Sequence, residues 1–173
     1  MKKQKMIILI TAASLFFTGC SSNVKDGVAL LEEKKYENAI VAFEEQVDIG
    51  KKTEEAYYGL GIAYFELEEY EKSVTAFEKS IEQGISESAI LYSFLGAGYI
   101  EEERYADALN AYEKALQDEK CDEELKQEIL YNLISVYENM ADWDKAKSQL
   151  EEYITLYPED TRVEKEAIFL ETR

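Results

Sequence analysis

The sequence contains no histidine, two cysteines, one proline and only 19 basic residues against 37 acidic ones. Without histidine, the most common general base for activating a serine or cysteine nucleophile is missing. The resulting net charge of −18 argues against nucleic acid as a ligand, because affinity for a phosphate backbone comes from lysine and arginine. The same charge repels an anionic membrane surface. We therefore expect neither an enzyme nor a nucleic-acid-binding protein.

The second cysteine, Cys121, lies in the acidic run of residues 118–124. Neighbouring carboxylates raise the pKa of a thiol and make it a poor nucleophile. The carboxylates of this run are also a candidate calcium site, but the alternating ligands and central glycine of a calcium loop are missing. We favour a solvated acidic turn with an incidental cysteine. A redox cysteine and a loose calcium site are the alternatives.

The longest apolar run, residues 6–17, is shorter than the roughly 20 residues that a spanning helix needs. It follows a basic stretch and precedes small residues, which is the order of a secretory signal. The stretch Phe17-Thr18-Gly19-Cys20 resembles the bacterial lipoprotein box. This resemblance implies a signal peptide over residues 1–19, a lipid on Cys20 and an extracytoplasmic location at the cell membrane, or at an outer membrane where one exists. The alternative is an ordinary signal peptide followed by a buried cysteine.

Residues 54–87 carry two apolar faces with helical spacing, separated by an acidic run that has no face to bury. The first face contains Gly61, the second contains Tyr70 and Phe77, and Gly84 supplies a left-handed helix end. The pattern predicts two helices that approach closely at Gly61.

This pattern recurs along the chain. The triplet Gly61, Tyr70, Phe77 corresponds to Gly27, Tyr36, Phe43, then to Gly96, Tyr105, Tyr112, and finally to Ile134, Trp143, Leu150. It resembles the tetratricopeptide repeat, a helix–turn–helix unit of about 34 residues. The resemblance implies an all-α fold, an α-solenoid of about four helix–turn–helix repeats plus a C-terminal capping helix. We expect one domain over residues 20–173, with repeats at about 20–53, 54–87, 89–122 and 127–160 and the capping helix at 161–173.

The resemblance also implies a peptide-binding groove on the concave face, built by the leading helix of each repeat. This groove would have an apolar floor and acidic edges, and without lysine or arginine it lacks the clamp that the family uses for a terminal carboxylate. An alternative for Ile62, Phe65 and Ile100 is packing against neighbouring helices. The predicted groove residues are Tyr58, Ile62, Phe65, Glu66, Phe94, Ala97, Ile100, Glu101, Tyr131, Asn132, Ser135 and Glu138.

The function that we expect is a membrane-anchored, extracytoplasmic and non-enzymatic scaffold that binds a basic or neutral protein or peptide. We expect no cofactor, no metal and no nucleic acid, with the membrane contacted through the lipid on Cys20. The alternative is a fixed structural subunit or assembly factor of a bacterial envelope complex, which would bind through its convex face or an edge. An enzyme is the third hypothesis, and no acid–base constellation in the sequence favours it.

Overall fold

A computed structural model describes residues 22–172, which consist of helices and connecting turns without a strand. The predicted signal peptide and Cys20 lie outside the described residues. The chain divides into two compact units between Glu87 and Ser88. The first contains α1 (Ser22–Glu32), α2 (Tyr36–Asp48), α3 (Thr53–Glu66) and α4 (Tyr70–Glu82); the second contains α5 (Ala89–Glu101), α6 (Tyr105–Gln117), α7 (Glu123–Asn139), α8 (Trp143–Leu156), a 3-10 turn (Thr161–Val163) and α9 (Glu164–Leu170).

In the first unit, aromatic rings pack directly on the backbone of glycines in facing helices. Phe77 of α4 lies against Gly61 of α3, where a Cβ atom would come within 2.6 Å of the ring. Phe43 of α2 lies between Gly27 of α1 and Gly59 of α3, and a Cβ on either glycine would overlap its ring. Both rings are fully buried. The prediction that Gly61 lies where two helices touch is confirmed.

In the second unit, Tyr112 of α6 packs on Gly96 of α5 in the same way, with 2.6 Å between the ring and a Cβ placed on the glycine. Tyr112 is fully buried, and its hydroxyl shares a hydrogen bond with the Asn132 side chain of α7. Burial raises the pKa of this hydroxyl well above its ordinary value, so it stays protonated. In the fourth repeat Ile134 and Leu150, both buried, replace the glycine and the aromatic ring.

Each second helix has a small buried residue at its fourth position, because the two helices of a hairpin approach closely there. In the second repeat this residue is Ser73, whose hydroxyl donates a hydrogen bond of 2.8 Å to the carbonyl of Gly61. The bond satisfies a polar group that would otherwise be buried without a partner. The residues in this position, Ala39, Ser73, Ala108 and Ala146, are all fully buried.

The turn inside each repeat is closed by a left-handed residue that is not glycine. In the second repeat, the acidic run forms this turn as predicted, and the Glu69 N–H donates to the Tyr64 carbonyl at 2.9 Å. A left-handed conformation costs a residue with a Cβ about 1–2 kcal/mol. The four residues and their φ angles are Lys34 (57°), Glu68 (60°), Glu103 (61°) and Ala141 (57°).

Glycine closes the second helix of each repeat in the first unit. Gly50 has a φ of 65° and Gly84 a φ of 93°, which side chains rarely adopt. After α4, the N–H of Gly84 donates to the Ile81 carbonyl at 2.9 Å and that of Ile85 to the Ser80 carbonyl at 3.0 Å. These bonds satisfy carbonyls at the end of the helix. The predicted helix stop at Gly84 is confirmed.

The acidic insertion becomes partly helical. Asp122 accepts a hydrogen bond of 2.9 Å from the Leu125 N–H and caps α7, which therefore begins at Glu123, inside the acidic run. Asp118 accepts a hydrogen bond of 2.8 Å from the Ala89 N–H at the start of α5. Hydrogen bonds from backbone N–H groups hold the pKa of Asp118 below its ordinary value. The insertion thus links the N-termini of two helices in one unit.

The C-terminal segment is shorter as an α-helix than the predicted range of 161–173. A 3-10 turn precedes α9, and Val163 and Leu170 are buried. Phe169 packs edge-on against Trp143 with the ring centroids 6.0 Å apart. Ile168 keeps 67% of its surface exposed, because it points away from the helices that α9 packs on.

Candidate ligand-binding faces of the leading helices

In the first unit, the predicted groove residues lie along one side of α3. Tyr58 is half-buried with its ring 5.6 Å from that of Phe77, and burial raises the pKa of its hydroxyl to about 12. Phe65 is half-buried and packs edge-on against Tyr70, 5.4 Å between ring centroids. Ile62 is 8% exposed. The side of α3 therefore offers parts of two aromatic rings and little of the isoleucine.

Glu66 at the end of α3 is exposed and accepts a hydrogen bond of 2.8 Å from the Tyr36 hydroxyl. Burial and the nearby carboxylate raise the pKa of Tyr36 to about 12. The bond joins the first repeat to the second within the unit. The Glu66 side chain lies at the surface, and Glu66 follows Phe65 in the chain.

In the second unit, α5 differs from the prediction in what it exposes. Phe94 is 3% exposed and Ala97 is fully buried, whereas Ile100 and Glu101 at the end of the helix are half-buried. The reason is that α5 is apolar on nearly every side, which marks a buried helix rather than one with a single core face. Of the four residues predicted on α5, only Ile100 and Glu101 in the last turn have side-chain surface available to a ligand.

On α7, Tyr131, Ser135 and Glu138 are half-buried, and Asn132 is 3% exposed because it faces Tyr112. The exposed parts of the three half-buried side chains follow one another at spacings of four and three along a single side of the helix. Of the four residues predicted here, three can reach a ligand and Asn132 serves the core.

Arg162 is the charged centre of the second unit, and sequence reasoning did not single it out. Its Nη1 atom donates to Glu128 at 2.7 Å, its Nη2 atom donates to Asp160 at 2.7 Å and to the Tyr153 hydroxyl at 3.0 Å. The guanidinium lies 4.7 Å from the ring centroid of Tyr131. Hydrogen bonds from Arg162 and Tyr153 hold the pKa of Asp160 far below its ordinary value.

Glu138 of α7 and Glu166 of α9 form a pair of like charges. One carboxylate oxygen of each is buried without a hydrogen-bond partner. Burial, and then the charge of Glu166, raise the pKa of Glu138 to about 7. The other oxygen of Glu166 accepts a hydrogen bond of 3.4 Å from the Tyr131 hydroxyl. This pair strains the contact between α7 and α9 when both carboxylates are ionised.

Lysines lie over tyrosine rings at repeated sequence spacings. The ammonium of Lys72 is 5.2 Å from the ring centroid of Tyr64, and that of Lys145 is 5.6 Å from Tyr137, eight residues apart in both cases. A second spacing of 22 residues brings Lys79 to 5.4 Å from Tyr57 and Lys114 to 4.8 Å from Tyr92. These contacts give several of the 13 tyrosines a role in joining the helices of a repeat. Both spacings can be found in the sequence alone, but only the structure shows which tyrosines carry a lysine over the ring.

Cys121 lies half-buried in the turn before α7. Burial, and then the charges of Asp122 and Asp118, raise the pKa of its thiol. The thiol therefore stays protonated at neutral pH and reacts slowly. In residues 22–172, no three His, Cys, Asp or Glu side chains lie together so as to hold a metal ion. Within the same residues, none of the helices has both the length and the apolar character for a membrane span.

Helix pairs that pack at Gly–aromatic contacts and recur every 34 or 35 residues define a helical-repeat protein of the α-solenoid class. The protein is built of tetratricopeptide repeats: family models with this description match residues 54–83 and 99–165. Among curated proteins, none matches the chain significantly.

Solved structures of repeat proteins share the fold. A MamA RS-1 double mutant is 21% identical, with a TM-score of 0.74 over 88% of this chain and 85% of that one. YrrB, described as a TPR protein with an unusual peptide-binding site, is 23% identical, with a TM-score of 0.67; the match covers 79% of this chain and 68% of YrrB. PilF of Pseudomonas aeruginosa is 20% identical, with a TM-score of 0.66; the match covers 84% of this chain and 64% of PilF. At these identities the similarity establishes the fold.

Proposed function

We propose that the protein is a non-enzymatic scaffold, anchored to a membrane outside the cytoplasm, that binds a protein or peptide through its leading helices. The observation that carries the proposal is the partial exposure of Tyr58 and Phe65 on α3 and of Tyr131 on α7. Aromatic side chains provide large contact areas with little loss of rotamer entropy, and such anchors dominate binding energies. YrrB, a TPR protein of the same fold with an unusual peptide-binding site, supports this interpretation of the repeats.

The proposed partner is basic or neutral. Glu66, Glu101 and Glu138 lie at the ends of the leading helices near the proposed aromatic contacts, and the chain as a whole carries a charge of −18. Such charges speed the encounter with a cationic segment and disfavour an anionic one more than they add affinity. Phe94, Ala97 and Asn132 are left out of the proposed contact set because they are almost completely buried.

Anchoring is proposed from the lipoprotein-like box that ends at Cys20. Because α1 begins at Ser22, only Ser21 separates the lipidated residue from the first repeat in the sequence, and one extended residue reaches only about 3.5 Å. One acyl chain binds a membrane marginally and two or more bind it stably. The anchor would overcome the repulsion between a strongly anionic protein and an anionic bilayer.

The second candidate function is a fixed subunit of an envelope assembly that binds through the second helices of the repeats. Large apolar side chains on two of these helices favour it. Val41 on α2 is 57% exposed and Ile49, directly after α2, is 55% exposed, and on α8, Ile154 is 40% and Leu156 is 45% exposed. Single exposed apolar residues of this size are common. The alternative is supported because they occur here in two pairs, one at α2 and one on α8.

Photo-crosslinking in the native cell distinguishes the two functions. A crosslinking residue replaces Phe65 or Tyr131 in one set of variants, Val41 or Leu156 in a second, and the exposed Glu119 in a control. We expect a protein adduct from the first set only. Adducts from Val41 and Leu156 alone would support the fixed subunit, and the absence of adducts from both sets would contradict both functions.

Binding kinetics with the crosslinked partner then test the chemistry. Phe65→Ala should weaken binding by about 2 kcal/mol, mainly through faster dissociation, as for a central interface anchor. Glu101→Lys should slow association, and the effect should fade as salt shortens the Debye length. Phe94→Ala is unsuitable, because truncating a buried phenylalanine costs about 3–5 kcal/mol of folding stability. Wild-type kinetics in both variants would exclude the leading helices as the binding site.

A further inference from the structure

The C-terminal segment of the second unit, residues 161–170, lies on the side of α7 that is proposed to bind a partner. Arg162 stacks 4.7 Å over the ring of Tyr131 and pairs with Glu128, one turn earlier on α7, at 2.7 Å. Glu166 accepts a hydrogen bond from Tyr131 and approaches Glu138. Two of the side chains proposed to contact a partner, Tyr131 and Glu138, therefore already meet a segment of the same chain.

The groups around Arg162 form a complete arginine site. Glu128 and Tyr131 come from α7 and Tyr153 from α8, while Asp160 faces the guanidinium edge through 2.7 and 2.9 Å contacts. Tyr153 donates to Asp160 at 2.6 Å, which fixes the orientation of the carboxylate. A planar guanidinium fills such a site with several hydrogen bonds and a stacked face at once. A lysine ammonium has neither the fork geometry nor the flat face.

The other end of the segment is held weakly. Near the middle of α9, Glu166 faces Glu138, and each keeps a buried oxygen without a partner, which costs stability. The helix is seven residues long, Leu170 is its only buried residue, and Ile168 is 67% exposed. A short helix with few buried contacts opens locally more readily than the repeats beneath it.

We propose that the side of α7 around Tyr131, together with Asp160, is an arginine-binding surface, and that residues 161–170 occupy it until an arginine-bearing segment of a basic partner displaces them. The inference rests on the proposed partner-binding function and adds the chemistry of the contact and its competitor within the chain. The net charge of −18 favours such a segment over an acidic one. Displacement would expose Glu128, Tyr131 and Glu138 together.

Hydrogen exchange followed by mass spectrometry on the full chain in detergent tests the first part without any partner. We expect the amides of residues 164–170 to exchange faster than those of α7. Arg162→Ala should accelerate their exchange about 10- to 100-fold, the factor expected when hydrogen bonds to a charged group are lost. Glu166→Gln should slow it at neutral pH, because the like charges are removed.

The matched control is Arg104→Ala. Arg104 also pairs with two carboxylates, those of Glu102 and Asp107, and its guanidinium lies 4.3 Å from the ring of Tyr99. This variant should leave residues 164–170 unchanged. The proposal is overturned if these amides exchange at the rate of α7 in the wild type, or if the two arginine variants have the same effect on them.

A displacement experiment on the wild-type chain tests the chemistry of the occupant. The probes are a synthetic peptide of alternating arginine and alanine and the corresponding lysine peptide, which has the same charge. We expect the arginine peptide to accelerate exchange in residues 164–170 and the lysine peptide to leave it unchanged. Equal acceleration by both peptides, or none by either, would overturn the arginine surface. A crosslinked partner at Phe65 would still support the proposed function in that case.

Discussion

Replacing Gly61 by leucine should destabilise the protein more than most single changes, because the space that the side chain needs is filled by Phe77. A Cβ atom alone would lie 2.6 Å from Cδ1 and Cε1 of a ring that is fully buried. Neither the ring nor the α3 backbone has room to yield, so the hairpin must open. Overpacking of this kind costs about 1–3 kcal/mol or more.

Gly96→Leu should behave in the same way against Tyr112, where the corresponding distance is also 2.6 Å. The matched control is Leu67→Ala at the end of α3, where the side chain is half-buried and its loss leaves no closed cavity. Thermal unfolding followed by circular dichroism measures the difference. The glycine variants should lower Tm by roughly 2–12 °C, as about 2–4 °C per kcal/mol is usual for a chain of this size.

A double variant sharpens the test. Gly61→Leu combined with Phe77→Ala returns space at the contact, so the two changes together should destabilise less than the sum of the single changes. Strict additivity, or a smaller loss of Tm for Gly61→Leu than for Leu67→Ala, would refute the reasoning that the ring and the glycine share one contact.

Cys20→Ser should abolish labelling with a tagged fatty acid and leave an uncleaved precursor. Equal labelling of the wild type and the variant would contradict a lipid anchor on Cys20. Glu68→Gly should raise the unfolding free energy by about 0.5–1 kcal/mol in urea titrations, because the left-handed strain exceeds the extra entropy of glycine in the unfolded chain; Glu45→Gly at an exposed position inside α2, expected to destabilise, is the control. The pKa of Glu138 is raised to about 7 from 4.5, so the stability present below pH 4.5 is lost as the pH rises through 7. In a plot of the urea midpoint of unfolding against pH, Glu138→Gln should reduce the decrease in this pH range. A curve parallel to that of the wild type would contradict the placement of Glu138.

The pairing of helices could be predicted because Gly61 and Phe77 stand 16 residues apart and the same spacing returns at Gly27 with Phe43 and Gly96 with Tyr112. Because the repeats share this spacing, a glycine–aromatic contact predicted in one repeat predicts the corresponding contacts in the others. The turns at Glu68 and Glu103 could be located but their left-handed backbone could not, since no glycine marks them. Position in the repeat overrides the local preference of these residues.

The candidate site could be predicted only in part. Of the aromatic residues that the register puts in the groove, Tyr58, Phe65 and Tyr131 are partly exposed and Phe94 is buried. A helix that is apolar on all sides, such as α5, gives no sign in the sequence of which side faces solvent. Arg162 was missed because its partners come from α7, α8 and the preceding loop. These partners become neighbours only when the C-terminal segment packs on α7 and α8, so no sequence spacing predicts them.

The position of Phe43 between Gly27 and Gly59 makes the first two repeats cooperative. In a linear array, stability divides into the intrinsic terms of the repeats and the coupling between neighbours, and end repeats fray when coupling is weak. The Phe43 ring contributes to both the intrinsic stability and the coupling, because it packs on α1 of its own repeat and on α3, the leading helix of the next repeat. The first repeat therefore unfolds together with the second instead of fraying alone, and a load applied at the N-terminus would have to break two repeats at once.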